Sequence, residues 1–271
     1  MSNLKNNKVF KEIVFTFDES KQDIVDDILY GEYDYYEIES SEGKFLAVVS
    51  PYEEKLEEVK NALTDAGLVF VGYRETKPED WFKNIITEPF EMIEGVWVDP
   101  EEHHLEEKDG IIVLKIPQGL AFGTGLHQTT KMSAMYLKKY LKPGMDVLDL
   151  GCGSGILAIL AKKLGARRVL AVDNDPLAVE VAQENATRNN VDIEVRWSDL
   201  FSNVDGKYDI IVSNIIAEIL VEMLKSAKNY LKEDGLLILS GIIVQKANLF
   251  EGYNIVEKMV MDEWNALVIK I

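Results

Sequence analysis

The chain has 271 residues, 47% of them hydrophobic, a formal net charge of −18 and a single cysteine, Cys152. That length is comfortable for two domains with real cores, no apolar run is long enough to span a membrane, and one thiol excludes an intrachain disulfide. The excess acid is lopsided: residues 1–110 hold 11 Lys+Arg against 28 Asp+Glu, a balance of −17, while residues 111–271 hold 18 against 19. Such a front half disfavours free DNA or RNA as a direct partner, and suits either a basic protein partner or simple solubility. The N-terminal MSNLKNNKVF lacks the apolar core of a signal peptide, so the expected compartment is the reducing cytoplasm.

Residues 1–75 have their own rhythm. Lys11 to Phe17 alternates as a strand, and Lys21 to Leu29 reads as a helix with Ile24, Val25, Ile28 and Leu29 on one face. Tyr35–Glu39 and Lys44–Val49 read as strands joined by the turn Ser40-Ser41-Glu42-Gly43. Pro51 opens a helix through Ala66, Gly67 stops it, and Leu68–Tyr73 is a last strand. The order β-α-β-β-α-β is ferredoxin-like. With no His, Cys or glycine-rich loop, this module is expected to recognise a partner. Tyr35 and Tyr36 invite the idea of RNA stacking on the sheet, which the acidity opposes.

Residues 76–110 read as a connector: a short helix around Trp81, Phe82, Ile85 and Ile86, a strand at Gly95–Val98, and an acidic turn carrying His103 and His104. Adjacent histidines point apart and no third ligand is near, so a solvated pair is expected and no metal. Ile111–Ile116 is a strand. The loop PQGLAFGTGLHQTT, residues 117–130, is rich in glycine and small polar residues and leads into a helix from Lys131 to Leu141. Its position ahead of the first sheet strand fits a strap over a bound cofactor, with Phe122, Gly123 and Thr124 as candidate contacts.

Met145 to Asp173 is the organising unit: a buried strand to Leu150, a turn with Gly151, Gly153 and Gly155, an apolar-faced helix closed by Gly165, and a strand ending on Asp173. Glycines let a ligand approach the backbone, and the helix N-terminus behind them suits an anionic group. An acid at the next strand's tip is placed for ribose hydroxyls. Dinucleotide sites need G-x-G-x-x-G; here Ile156 stands where the third glycine belongs. The D-x-G-x-G-x-G pattern that starts at Asp149 resembles the first motif of Rossmann-like methyltransferases. Cys152, between two glycines, is expected to be unreactive.

A helix opens at Pro176 and stops at Asn189-Asn190, and Asp192–Trp197 is a strand leading to Asp199. Asp199 is placed either to reach an adenine amine or to cap a helix. Tyr208–Ser213 is the next strand, with Asn214 at its carboxyl end, where open α/β sheets bind ligands. A helix from Ala217 to Leu231, a strand at Leu236–Ser240, a short helix at Ile243–Phe250 and a closing hairpin complete the chain.

LAFGTGLHQTT, DLGCGSGILAILAKKLGA, VDNDPLAVEVAQENATRNN, SNIIAEIL and LILSGII together resemble the PrmA family, methyltransferases of large-subunit ribosomal protein eleven. The match is strong over residues 110–250. Leu126 and Gln128 depart from the family's Thr and Pro beside the loop histidine, His127. The resemblance implies an α/β fold: a Rossmann-like seven-strand methyltransferase sheet (residues 111–271) behind a ferredoxin-like α+β domain (residues 1–75). It implies S-adenosylmethionine as cofactor, contacts at Thr130, Gly151, Asp173 and Asn214, and a large-subunit ribosomal protein as substrate; Gly153 of the glycine turn joins the candidate contacts, the acidity points to a basic partner, and a monomer is expected. Asn214, an uncharged acceptor, is the expected catalytic residue. Ile215-Ile216 stand where enzymes acting on planar nitrogens carry a Pro-Pro-aromatic run, which disfavours glutamine or adenine as substrate. The competing readings are a related protein-lysine or small-molecule methyltransferase and a non-catalytic nucleoside-binding module.

Overall fold

The computed structural model describes residues 10–16, 21–29, 34–40, 43–50, 53–76, 88–103, 105, 110–117 and 123–271. The chain divides into two compact units, Met1–Ile85 and Ile86–Ile271.

In the first unit the elements are β1 (Phe10–Thr16), α1 (Gln22–Leu29), β2 (Asp34–Ser40), β3 (Gly43–Ser50), α2 (Glu53–Asp65) and β4 (Phe70–Thr76). The sheet is antiparallel in the order β2-β3-β1-β4, the split β-α-β pattern. Val25 and Leu29 of α1 and Leu56, Val59 and Leu63 of α2 bury against Ile13, Phe15, Leu46 and Val48. Tyr35 is half-buried and packs on the flank of this core. The Tyr36 side chain and the stretch around Trp81 lie outside the described residues.

The second unit opens with β5 (Phe90–Ile93), β6 (Val96–Val98) and β7 (Ile112–Leu114), a small sheet in that order. The sequence reading has no strand at β5, which is four residues long and follows a proline. His103 is not simply solvated: its ring Nδ1 lies 3.1 Å from Oδ1 of the buried Asp99. His104 lies outside the described residues.

Then follow α3 (Gln128–Tyr140), β8 (Asp146–Leu150), α4 (Ile156–Lys163), β9 (Arg168–Asp173), α5 (Pro176–Arg188), β10 (Glu194–Trp197), β11 (Tyr208–Asn214), α6 (Ala217–Ala227), β12 (Leu231–Ile243), a 3-10 helix (Val244–Phe250), β13 (Ile255–Met261) and β14 (Trp264–Lys270). The seven-strand order is β10-β9-β8-β11-β12-β14-β13. β10 to β12 run parallel and β14 and β13 antiparallel.

Both faces of this sheet are covered, which is why β8 reads as a continuous apolar run around its acids. One face packs Val147, Val169, Val212 and Val268 against α3, α4 and α5; the other packs Leu148, Leu170, Ile211 and Leu237 against α6 and Phe250. Strand order reverses between β8 and β11, so their carboxyl ends open the crevice where doubly wound sheets bind ligands.

Candidate active site

The glycine turn after β8 is tied down on all sides. Gly151, Gly153 and Gly155 take φ of 77°, 52° and 77°, left-handed values that side chains resist. The amides of Gly151 and Cys152 both donate to the Val172 carbonyl, at 2.8 and 3.0 Å. Gly153 N–H donates to Asp173 Oδ2 at 2.8 Å, and Asp175 N–H to Oδ1 at 3.0 Å. The acid at the tip of β9 therefore first shapes the turn. Each of its oxygens accepts one backbone amide and has capacity for a further donor.

Beneath the turn, Asp149 is fully buried. Its Oδ2 accepts from Ala158 N–H of α4 at 3.0 Å, and Oδ1 has no partner among the described residues. Burial pushes this carboxyl up to about 7, with the charge of Asp173 adding to the shift and the Ala158 amide opposing it. Burial likewise raises the Cys152 thiol well above its ordinary value, which leaves it inert.

The 117–130 loop reaches the same place. Ser154 Oγ donates to the Gly123 carbonyl at 2.6 Å, joining the loop to the glycine turn. Gly125, at φ 95°, leaves only 3.0–3.2 Å between an added Cβ and Val98, Ile156 and Met92. So Gly123 and Thr124 lie beside the turn, while Phe122 lies outside the described residues.

His127 caps α3. Its Nδ1 accepts from Thr129 N–H at 3.3 Å, and burial holds the ring below its usual pKa. The helix thus starts three residues before Lys131, because the cap is a histidine where Ser, Thr, Asp or Asn would ordinarily signal one.

Capping points Thr130, 1% exposed, at the carboxyl end of β11: Asn214 Nδ2 donates to Thr130 Oγ1 at 3.4 Å. Ser213 Oγ donates to the Leu150 carbonyl at 2.7 Å, fastening the end of β11 to the residue before Gly151. Thr130, Gly151, Gly153, Asp173 and Asn214 therefore share one end of the sheet. Asp199 lies on that end too: Ser198 N–H donates to the Asp173 carbonyl at 2.9 Å. Its side chain is exposed and no helix follows before β11, so the capping alternative falls.

Three residues of the site have no place in the sequence reading. Ser154 links the two loops. Ser240 Oγ donates to the Thr129 carbonyl at 3.0 Å. Gly241, at φ 83°, sits where a Cβ would stand 2.3 Å from the Ile215 carbonyl oxygen. The Ser-Gly pair inside an apolar strand is the signal that marks such a bulge.

The family model for ribosomal protein L11 methyltransferase (PrmA) matches residues 5–271. A ribosomal protein L11 methyltransferase of Thermosipho africanus is 60% identical over 267 residues, 98% of this chain and 100% of that protein. One from Thermosipho melanesiensis is 54% identical over 265 residues, 97% of this chain and 99% of the other. The crystal structure of ribosomal protein L11 methylase from Lactobacillus delbrueckii subsp. bulgaricus aligns with a TM-score of 0.63 at 35% identity, covering 67% of this chain and 97% of that one. The chain belongs to the ribosomal protein L11 methyltransferase (PrmA) family of S-adenosylmethionine-dependent enzymes.

Proposed function

We propose that the chain methylates amines of a basic large-subunit ribosomal protein, the N-terminal α-amine and lysine side chains, with Asn214 as the residue that orients the amine. The observation that carries this is the neutral Asn214 amide, in contact with Thr130 on a strand end that the Ser213–Leu150 bond fastens to the start of the glycine turn. The cofactor fits the residues present: Asp173 has acceptor capacity left for a ribose, and the Gly151–Gly155 turn admits a close approach. S-adenosylmethionine supplies a methyl group already activated by the sulfonium. The protein's task is to align a neutral amine behind it.

An α-amine, with pKa near ~8, is partly neutral at pH 7, and a lysine near ~10.4 is not. An uncharged carbonyl acceptor such as Asn214 Oδ1 orients either one without holding it as ammonium, whereas a carboxylate would favour the charged form. Gly151, Gly153 and Asp173 hold the methionine and ribose parts, Asp199 faces the adenine, and Gly123 and Thr124 lie over the cofactor. The ferredoxin-like module of residues 1–75 recognises the substrate, with residues 76–110 as its connector. The enzyme works as a cytoplasmic monomer without direct contact to nucleic acid. A net charge of −18 supports a basic partner, and among the described residues no helix is long and apolar enough to cross a membrane.

Mass spectrometry of large ribosomal subunits incubated with the enzyme and labelled cofactor tests the substrate; label on another protein or on a small molecule replaces it. Asn214→Ala is expected to lower kcat about 100-fold with the cofactor still bound, as loss of a positioning contact would. Asp173→Ala is expected to weaken cofactor binding in calorimetry. Full turnover in the first variant, or normal binding in the second, removes that residue from the site.

A further inference from the structure

The first turn of α3 carries Thr130 to Asn214, so whatever holds that turn also holds the amide. Part of its support comes from far along the chain. β13 and β14 are joined by the two-residue turn Asp262-Glu263, with Met261 paired to Trp264. Asp262 adopts φ 50°, a left-handed value that short polar side chains tolerate and that tight hairpins need. The turn is fixed from behind: Val244 N–H donates to the Glu263 carbonyl at 2.8 Å. Asn265 Nδ2 donates to the Ile242 carbonyl at 3.3 Å, and Trp264 Nε1 to Glu263 Oε1 at 3.1 Å.

From this rigid turn two side chains reach α3. Asp262 Oδ2 accepts from Gln128 Nε2, the helix's first residue, at 2.6 Å. The Trp264 ring meets the capping His127 ring edge-on, with centroids 5.0 Å apart at 71°. Ser240, from the bulge in the neighbouring strand, holds the Thr129 carbonyl. His127, Gln128 and Thr129 are each gripped by a different residue of one C-terminal block, and the next residue is Thr130.

We propose that Asp262 and Trp264 are positioning residues for methyl transfer, which hold the first turn of α3 and, through Thr130, the Asn214 side chain. This rests on Asn214 orienting the amine. The effect of Asp262 and Trp264 falls on alignment in the transition state, so it is read in kcat and not in the KM for the protein substrate.

The test uses the full-length enzyme and compares Asp262→Ala with Asp262→Asn, and Trp264→Ala with Trp264→Phe. Asn keeps an oxygen for the Gln128 amide, and Phe keeps a ring beside His127. The alanine variants are expected to lose about tenfold in kcat at an unchanged KM for the ribosomal protein, since sub-ångström misplacement is costly. The Asn and Phe variants are expected to recover most of it. Unchanged kcat in the alanine variants, or conservative variants as impaired as alanine, overturns the proposal, and so does activity lost only in step with the folded fraction. Asp262→Ala added to Asn214→Ala separates the two readings. No further loss beyond Asn214→Ala supports action through that amide, and an additive loss overturns it. Asn214→Ala alone, at full turnover, sinks the assignment of Asn214 whatever the clamp residues do.

Discussion

At the scale of single residues, Asp149 shows how the glycine turn stores an electrostatic cost. Its carboxyl is enclosed under the glycines with one oxygen unpartnered, and burial lifts it to about 7. The unfolded carboxyl titrates near ~3.9, so between these values the native state binds the extra proton. Stability from this group is therefore full below about pH 4, falls as pH rises, and levels off above about pH 7. A shift of about three units corresponds to at most about 4 kcal/mol. Asp149→Asn keeps an oxygen for Ala158 N–H and removes the titration. Denaturant unfolding between pH 4 and 8 is expected to give a flatter profile for this variant and a higher stability than the parent at pH 8. A profile parallel to the parent's places the titration elsewhere. Asp146, at the other end of β8, works in the opposite sense: bonds from Arg167 and Lys232 hold it down at about 2, so its contribution is lost only as pH falls below about 4.

At the scale of elements, periodicity exposed what is regular and missed what is bent. The strands β8, β9 and β11 are buried on both faces and bounded by glycine or acid, so their apolar runs were plain in the sequence. The starts of helices were harder. α3 hides behind a histidine cap, and α6 stops at Ala227 where the apolar pattern runs on to Leu231, because Leu231 already belongs to β12. β12 itself extends thirteen residues, well past the apolar core at 236–240, and breaks register between Leu239 and Ile242. That break follows from tertiary contact and not from local pattern: Gly241 lets β12 pass against the Ile215 backbone, right behind Asn214. Gly241→Ala would set a Cβ 2.3 Å from a backbone carbonyl oxygen at a positive φ. It is expected to cost about 1–3 kcal/mol in urea unfolding and to lower kcat in the folded fraction by displacing Asn214. An alanine variant with parental stability and kcat shows that the bulge can relax without moving the site.

For the candidate site the division is similar. That Gly151, Gly153, Asp173 and Asn214 come to one end of the sheet was legible because strand ends and glycine spacing are local signals. The partners that join them were not, since Ser154 to Gly123 and Ser240 to Thr129 span 31 and 111 residues of sequence. Nothing in a single sequence pairs positions that far apart.

At the scale of the whole molecule, charge separates the two halves more sharply than composition does: residues 1–110 carry −17 and residues 111–271 carry −1. A near-neutral catalytic half binds a small cofactor in a crevice, where screening by salt is weak. On the proposed reading, the acidic front half meets a basic protein across solvent, where the Debye length is about 10 Å at 0.1 M. The two binding events should then respond differently to ionic strength. Raising salt from about 50 to about 200 mM is expected to increase the KM for the ribosomal protein severalfold through slower encounter, and to leave cofactor affinity nearly unchanged. Exposed acids of the front unit carry the effect, so Glu58→Gln combined with Asp65→Asn should raise KM at low salt, shrink its salt slope and leave kcat alone. A KM independent of salt would mean that the front half's acidity serves solubility, and that recognition rests on shape and apolar contact.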